Sequence, residues 1–489
     1  MTDRPPGGPG SGPLRRWASL ALLGAILLAP SVWVAVGLIA AALATAAAPA
    51  LLAGFRRGPL ARALEAARHG PALVLGTGPQ GRPVGLGDSQ LAAHGLVVGA
   101  SGAGKTTTLL TMLDAQIRLG RPVIAIDMKG SPAFAAALGD SASAAGRGLR
   151  IFTPDGSGHW NPLAHGNATS LKDMLIGSER FTEPHYKRAA ERYLQTALGV
   201  LLAAHPDRQV QLHEVVAAME PRRLSAMLRG LPSPQAASVQ DYLASMTHDQ
   251  VSAVRGLGTR LAVLSESCAG PYLRTDTARP ATEIDLAAGL NGGDVILLSL
   301  NSSVYGQLAA QLGALAIQDL VSATGRRMAL TGAQPATIAI DEFSALGGDN
   351  VLALIARGRE PGISVVLATQ EMADLDRAGH GFRDQVLGIV GVKIIHRQDV
   401  PASAELIAQM AGTEAAWDVT RTTGGGASRS TRRQVERYVV HPNEIKTLEP
   451  GQAVVLTKLP RAEVQRVRVR PAPHRGLGGP ARDDDALGR

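Results

Sequence analysis

Residues 99–106 read GASGAGKT and fit the spacing G-x-x-x-x-G-K-[ST]. Glycines let a backbone wrap closely around a triphosphate with its N–H groups turned inward. In this pattern the lysine, Lys105, reaches the outer phosphates, and the Thr106 hydroxyl holds magnesium. The chain has only seven lysines, so the match is not an accident of composition. Gly99, Ala100, Ser101, Gly102, Ala103, Gly104, Lys105, Thr106 and Thr107 form the candidate cradle for a nucleotide with Mg2+. Hydrolysis needs more, and IAIDEF at 338–343 supplies it. An aspartate ending an apolar strand, here Asp341, can hold the magnesium shell through water, and its neighbour Glu342 can orient the attacking water. Alone, an Asp-Glu pair at a strand end reads as a solvated turn; the phosphate loop upstream gives it a catalytic reading. Gln370 ends the run VVLATQ, where a polar side chain can sense the γ-phosphate. Arg357 and Arg359 lie between these two runs. Either could serve an ordinary surface. Delivered to a neighbouring subunit's phosphate, an arginine would stabilise transition-state charge, and Arg359 is the preferred candidate.

These groups must be held at the ends of strands. Leu96–Val98 reads as a strand leading into the loop, and Leu109, Leu110 and Met112 give the following helix a face to bury. Further apolar runs occur at 122–127, 149–152, 294–300, 336–340, 363–368 and 391–395, with helical segments between many of them. Runs apolar on both faces suit a parallel sheet. The alternation predicts an α/β, P-loop (RecA-like) fold with a mostly parallel sheet and helices on both faces. PALVLGTG and RPVGLG predict a β-hairpin ahead of the loop. From 165 to 265 strand signals vanish and helical periodicity recurs, which predicts an inserted all-helical domain. Residues 421–433, RTTGGGASRSTRR, read as a flexible basic loop, and 438–457 as a closing strand pair.

At 489 residues, 45% hydrophobic and 18% charged, the composition is that of a folded protein. The single cysteine, Cys268, excludes an internal disulfide and a cysteine-rich zinc site, and is expected to be a small buried hydrophobe. A net charge of +8 permits contact with nucleic acid or anionic lipid. Aromatics at 3% argue against base stacking as a main device. Residues 17–55 carry no charge and are flanked by Arg15, Arg16, Arg56 and Arg57. One helix through them would be about 58 Å long, roughly twice the hydrocarbon thickness of a bilayer. A transmembrane hairpin accommodates this length and keeps both arginine pairs on the cytoplasmic side. The expected layout is a disordered basic N-terminus at 1–16, the membrane segment at 17–55, ATPase domain at 58–164 and 266–470, the helical insert at 165–265, and a disordered tail at 471–489.

GASGAGKT, IDMKG, the Asn161–Leu163 triplet NPL, IDEFSALG, GREPGISVVLATQ and HPNEIKTLEPGQAVV together resemble the type IV coupling proteins of TraD/TraG type, within the FtsK/HerA group of motor ATPases. The resemblance implies a homo-hexameric ring in the cytoplasmic membrane, with most of the chain in the cytoplasm. It implies ATP hydrolysis used to recruit DNA, often bound to a relaxase, and move it to a type IV secretion channel in conjugation. By residue match it gives Lys105 and Thr106 the phosphate-loop roles, Asp341 the metal role, Glu342 the water role, Gln370 the sensor role and Arg359 the arginine finger. Adenine is preferred because the chain has no N-K-x-D for guanine. There are departures: Met128 stands where the family usually has proline, and the segment between the membrane spans is very short. The strand form of the DNA stays open. An FtsK/HerA-like motor on double-stranded DNA and a non-motor ring that recruits substrate are the alternatives.

Overall fold

The computed structural model describes residues 73–472 apart from 157, 180, 182, 277, 279, 425 and 426. The expected N-terminus at 1–16, the membrane segment at 17–55 and nearly all of the tail lie outside the described residues. Among the described residues no helix is long and apolar enough to cross a membrane.

The strands are β1 (Leu73–Thr77), β2 (Pro83–Leu86), β3 (Gly95–Val98), β4 (Val123–Asp127), β5 (Leu149–Phe152), β6 (His159–Trp160), β7 (Glu283–Ile284), β8 (Val295–Ser299), β9 (Ala336–Asp341), β10 (Ile363–Thr369), β11 (Val392–Ile395), β12 (Thr413–Gly424), β13 (Ala427–Tyr438), β14 (Gln452–Thr457) and β15 (Glu463–Val469). Eleven of them form one sheet, in the order β2-β1-β15-β14-β11-β3-β10-β9-β4-β8-β5. From β11 to β5 all neighbours are parallel. From β2 to β11 they are antiparallel. β3, β4, β8, β9 and β10 are buried at every position, which is why they read as unbroken apolar runs.

Alternation along each strand divides the core in two. Val97 and Ala125 pack with Leu109, Leu113 and Ile117 of α1 (Lys105–Arg118) and with Phe134 and Leu138 of α2 (Pro132–Ala144). Leu96, Val98, Ile124 and Ile126 belong to a second, larger core. That core takes in the helices of the 165–265 region: α3 (Ala168–Gly177), α4 (Pro184–Ala204), α5 (Leu212–Ala218), α6 (Pro221–Met227), α7 (Ser233–Ala244) and α8 (His248–Ser265). It also takes in α9 (Ser302–Arg327), α10 (Gly348–Gly358), α11 (Met372–Ala378), α12 (Phe382–Ile389) and α13 (Pro401–Ala411). Helices thus cover both faces of the sheet.

The sheet departs from the sequence reading at its antiparallel edge. Of the stretch 438–457, only β14 joins the sheet; its neighbour is β15, whose alternating charged residues masked it. The stretch 421–433 lies within a two-stranded antiparallel ribbon, β12–β13, paired over twelve positions. Cys268 is exposed, not buried.

Two polar anchors hold the start of the helical region in place. Asn161 donates to the Val210 carbonyl (3.0 Å) and the Thr275 hydroxyl (3.1 Å). The buried Trp160 indole donates to Asp319 of α9 at 3.0 Å. Burial pushes the Asp319 carboxyl up to about 7, although the Trp160 bond and the Arg326 charge oppose the rise. A raised folded-state value gives stability that is full at low pH and is lost as pH climbs through about 7. Asp319→Asn keeps an acceptor for Trp160 and removes the charge. Its melting temperature should rise relative to wild type between pH 5 and pH 8, by several degrees. A gap independent of pH would contradict the buried charge.

Candidate nucleotide site

β3 delivers the chain to the phosphate loop and α1 receives it at Lys105. Gly102 (φ 74°) and Gly104 (φ 109°) take left-handed backbone, which Cβ-bearing residues rarely adopt. A Cβ on Gly99 would stand 2.7 Å from the His396 Cβ. One on Gly104 would stand 2.9 Å from the Gly451 nitrogen. The loop is pinned from below. Gly99 N–H donates to Thr369 O (3.3 Å), Ala100 N–H to Arg397 O (2.9 Å), and Gly451 N–H to Ala103 O (2.9 Å). The N–H groups of Ser101, Gly102, Gly104, Lys105, Thr106 and Thr107 have no acceptor among the described residues. Free donors at a loop and helix N-terminus fit an anionic phosphate chain.

Beside the loop, the register aligns Asp127 of β4 with Asp341 of β9. Asp127 is consumed locally, accepting the N–H groups of Lys129 (2.9 Å) and Ser131 (2.6 Å). Asp341 is buried, and its Oδ1 accepts the Glu342 N–H at 3.1 Å. Burial raises its carboxyl above the ordinary range, against the pull of Lys129 and Lys105. Among the described residues no cluster of three or more metal-binding side chains exists. Nucleotide-bound magnesium needs none, because it keeps waters and phosphate oxygens. One carboxylate and the half-buried Thr106 hydroxyl fit that demand.

Glu342 sits in left-handed backbone at φ 57°, an uncommon state for a non-glycine residue. Its Oε1 gathers three donors: Lys105 Nζ at 3.2 Å, Lys129 Nζ at 2.6 Å and Gln370 Nε2 at 2.8 Å. Burial works against its charge. The Lys129 bond, the Lys105 charge and the Gln370 bond outweigh burial and hold the carboxyl below its ordinary value.

The structure therefore brings Lys105, Thr106, Asp341, Glu342 and Gln370 together. It does not bring Arg359 to them. Arg359 precedes β10 and Gln370 follows it, so the strand's seven residues, about 23 Å, lie between them. Arg359 is exposed and lies close enough to the buried His94 to help lower its pKa to about 4, a shift led by burial. Within one chain it faces the wrong end of the sheet.

Sequence reasoning missed two residues. Lys129, part of the motif IDMKG, was given no role, yet it makes the shortest contact to Glu342. His396 is wholly buried under the loop. Its Nδ1 lies 2.8 Å from the Gln452 carbonyl, which can only accept, so Nδ1 carries the proton. Nε2 then accepts from the Thr108 hydroxyl at 2.8 Å. Burial lowers its pKa to about 4, so the ring is neutral at physiological pH.

Two family models match the chain: the TraM recognition site of TraD and TraG over residues 335–450, and the helicase HerA-like C-terminal model over residues 73–151. Among solved structures, the bacterial conjugative coupling protein TrwBdeltaN70 superposes with a TM-score of 0.61 at 17% identity, over 83% of this chain and 91% of that one. TrwB in complex with ADP and Mg2+ gives 0.59 at 17% identity, over 80% and 88%. VirB4 of Thermoanaerobacter pseudethanolicus gives 0.54 at 14% identity, over 83% and 97%. No curated protein sequence matches the chain. At such identities the superpositions establish the fold: a large mixed sheet of the P-loop class, with a phosphate loop and strand-end carboxylates at one end. The two family models and that fold support a TraD/TraG-type coupling protein of the P-loop ATPase group.

Removing the His396 ring leaves Thr108 and Gln452 without their shared partner. His396→Ala should weaken ATP binding about tenfold, the scale of one or two lost hydrogen bonds, as read by titration with a fluorescent ATP analogue. Unchanged affinity would reduce His396 to packing.

Proposed function

We propose that the chain binds ATP with Mg2+ and hydrolyses it to move DNA. The observation that carries this reading is Glu342. A pure nucleotide-binding ring needs no carboxylate kept ionised beside its phosphate loop. Here Lys105, Lys129 and Gln370 hold one oxygen of Glu342 and leave its other oxygen for a water. Glu342 orients that water and draws its proton as it attacks the γ-phosphorus; ADP leaves with the electron pair of the broken P–O bond. Lys105 and the six free N–H groups of the loop stabilise charge on the phosphate oxygens. Asp341 and Thr106 would hold Mg2+, which when bound would supply positive charge against the phosphates. Gln370 links the strand-end β10 to Glu342, and so senses whether the γ-phosphate is in place.

Arg359 acts only in trans in this reading. A homo-hexameric ring would bring the Arg359 end of one subunit to the phosphate loop of the next. The family supports the remaining parts: anchoring in the cytoplasmic membrane by residues 17–55, DNA as cargo with a relaxase or relaxosome, and delivery to a type IV secretion channel. The TrwB complexes with ADP and Mg2+ and with nucleotide analogues support the choice of cofactors.

The test is ATP hydrolysis by the full chain in lipid, with and without single- and double-stranded DNA. DNA should stimulate it. Lys105→Ala and Glu342→Gln should each lower it by roughly 10²-fold or more. Glu342→Gln should still bind ATP. Hydrolysis surviving in Glu342→Gln, or absent from the wild type under every DNA, would favour a ring that only recruits substrate. Arg359→Ala should bind ATP and hydrolyse it poorly, and mixing it with Lys105→Ala subunits should restore part of the activity. No recovery in mixed rings counts against the trans arginine.

A further inference from the structure

The β12–β13 ribbon takes no part in the nucleotide site. It forms a two-stranded sheet of its own, paired from Thr413↔Tyr438 to Gly424↔Ala427. Twelve residues per strand make it about 40 Å long. From Thr413 to Val419 and from Arg432 to Tyr438, each position is exposed or half-buried, so neither face is covered. Isolated two-stranded ribbons are marginal in water. One this long is best explained by something it touches.

Charge is sorted along its length. The inner part holds Glu414, Asp418 and Glu436 against one arginine, Arg437, which pairs with Asp418 at 3.7 Å. The outer part, 419–433, holds Arg421, Arg429, Arg432 and Arg433 and no acidic residue. Its other positions are mostly Thr, Ser and Gly. Hydroxyls donate to phosphate oxygens, and small residues let a backbone come close. The register places Arg432 and Arg433, both exposed, on opposite faces. An arm basic on both faces suits a site with phosphates on both sides. The major groove of B-DNA is such a site and is wide enough for a two-stranded ribbon. The outer part has no aromatic residue, so it lacks the stacking platform that unpaired bases need.

We propose that the β12–β13 ribbon is a DNA-binding arm, whose outer part lies in the groove of a duplex and contacts its phosphates. The proposal rests on the DNA-handling reading above and adds the site and the strand form. The arm is mounted next to the nucleotide. α13 leads directly into β12, and its Ser403 hydroxyl donates to Glu371 Oε2 at 3.2 Å. Gln398, just ahead of α13, donates from Nε2 to the Gln370 carbonyl at 3.0 Å. A load on the arm therefore reaches the residue that touches Glu342.

The experiment is DNA binding by the full chain in lipid nanodiscs, read as fluorescence anisotropy of labelled duplex and single strands over a range of salt. The variant R421Q/R429Q/R432Q/R433Q should bind duplex at least about tenfold more weakly. Its slope of log affinity against log salt should be shallower by about 3 to 4, the value for four phosphate contacts. The corresponding four-lysine variant should keep the wild-type slope. DNA-independent ATP hydrolysis and the melting temperature should not change, whereas stimulation by duplex should be lost. Wild-type affinity and slope in the glutamine variant would overturn the arm while leaving the motor reading intact. So would a lysine variant as weak as the glutamine one, which would mark a structural role. Sensitivity confined to single strands would overturn the groove. Unchanged DNA affinity with a smaller assembly by light scattering would make the ribbon a subunit contact instead. A wild type that binds no DNA overturns both readings, while arm-dependent binding without hydrolysis overturns only the motor.

Discussion

A phosphate loop has to be rigid while leaving its donors unpaired, and much of this structure answers that demand. Six N–H groups, from Ser101 to Thr107, have no acceptor among the described residues. Several of these belong to the first turn of α1, whose N–H groups have no partner within the helix and are left for water or a ligand. Here the loop is held by its other groups. Thr369, the last residue of β10, and Arg397, just past β11, accept the N–H groups of Gly99 and Ala100, and Gly451, ahead of β14, donates to Ala103. The strand order follows from this. β3 must lie between β10 and β11, and β14 beside β11, for those three backbone segments to meet under one loop. His396 completes the support by joining α1 to the carbonyl that opens β14.

The same end of the sheet crowds three carboxylates, and their different surroundings separate their roles. Asp127 and Asp341 are register partners on adjacent strands. Backbone N–H groups occupy Asp127, which shapes the loop through Ser131 and leaves it little free acceptor capacity. Asp341 makes a single short-range bond and is kept from charging easily by burial. A cation would relieve both conditions at once. Glu342 leaves the strand in left-handed backbone and turns toward the two lysines, whose charges keep it ionised. Two adjacent residues therefore hold opposite protonation tendencies, one suited to a metal and one to a water.

What could be read from sequence was local in the chain. Gly99 to Thr107 is one continuous stretch whose spacing carries its chemistry. β3, β4, β8, β9 and β10 are mostly apolar because both of their faces are covered. What escaped was set by distant partners. His396 is a lone histidine in sequence; its meaning comes from Thr108 and Gln452, each far away along the chain. Lys129 gains its role only when β4 and β9 lie side by side. β15 reads as polar because Arg466 and Arg468 are exposed on one face while Val467 and Val469 are buried on the other. The ribbon read as a loop because its residues are polar on both faces, and alternation has nothing to mark where neither face is buried. Cys268 was misplaced by a general tendency of cysteine that the end of α8, which leaves it exposed, does not honour.

The two additions to the sheet differ in how they are attached. The helical region shares the larger core with the sheet, through Trp160, Leu163, Leu171 and Met174, and Trp160 is bonded to Asp319 of α9. Moving it would expose apolar surface and break a buried hydrogen bond, so it behaves as part of the body. The ribbon has no such core. Its attachment runs through α13, which Ala404, Ile407 and Ala408 pack into the larger core and Ser403 ties to Glu371. The ribbon itself can shift at little cost in buried area, whereas α13 at its base is fixed in the core and bonded to the residue next to Gln370. The stiff addition therefore frames the nucleotide site, and the ribbon projects from a helix anchored beside Gln370.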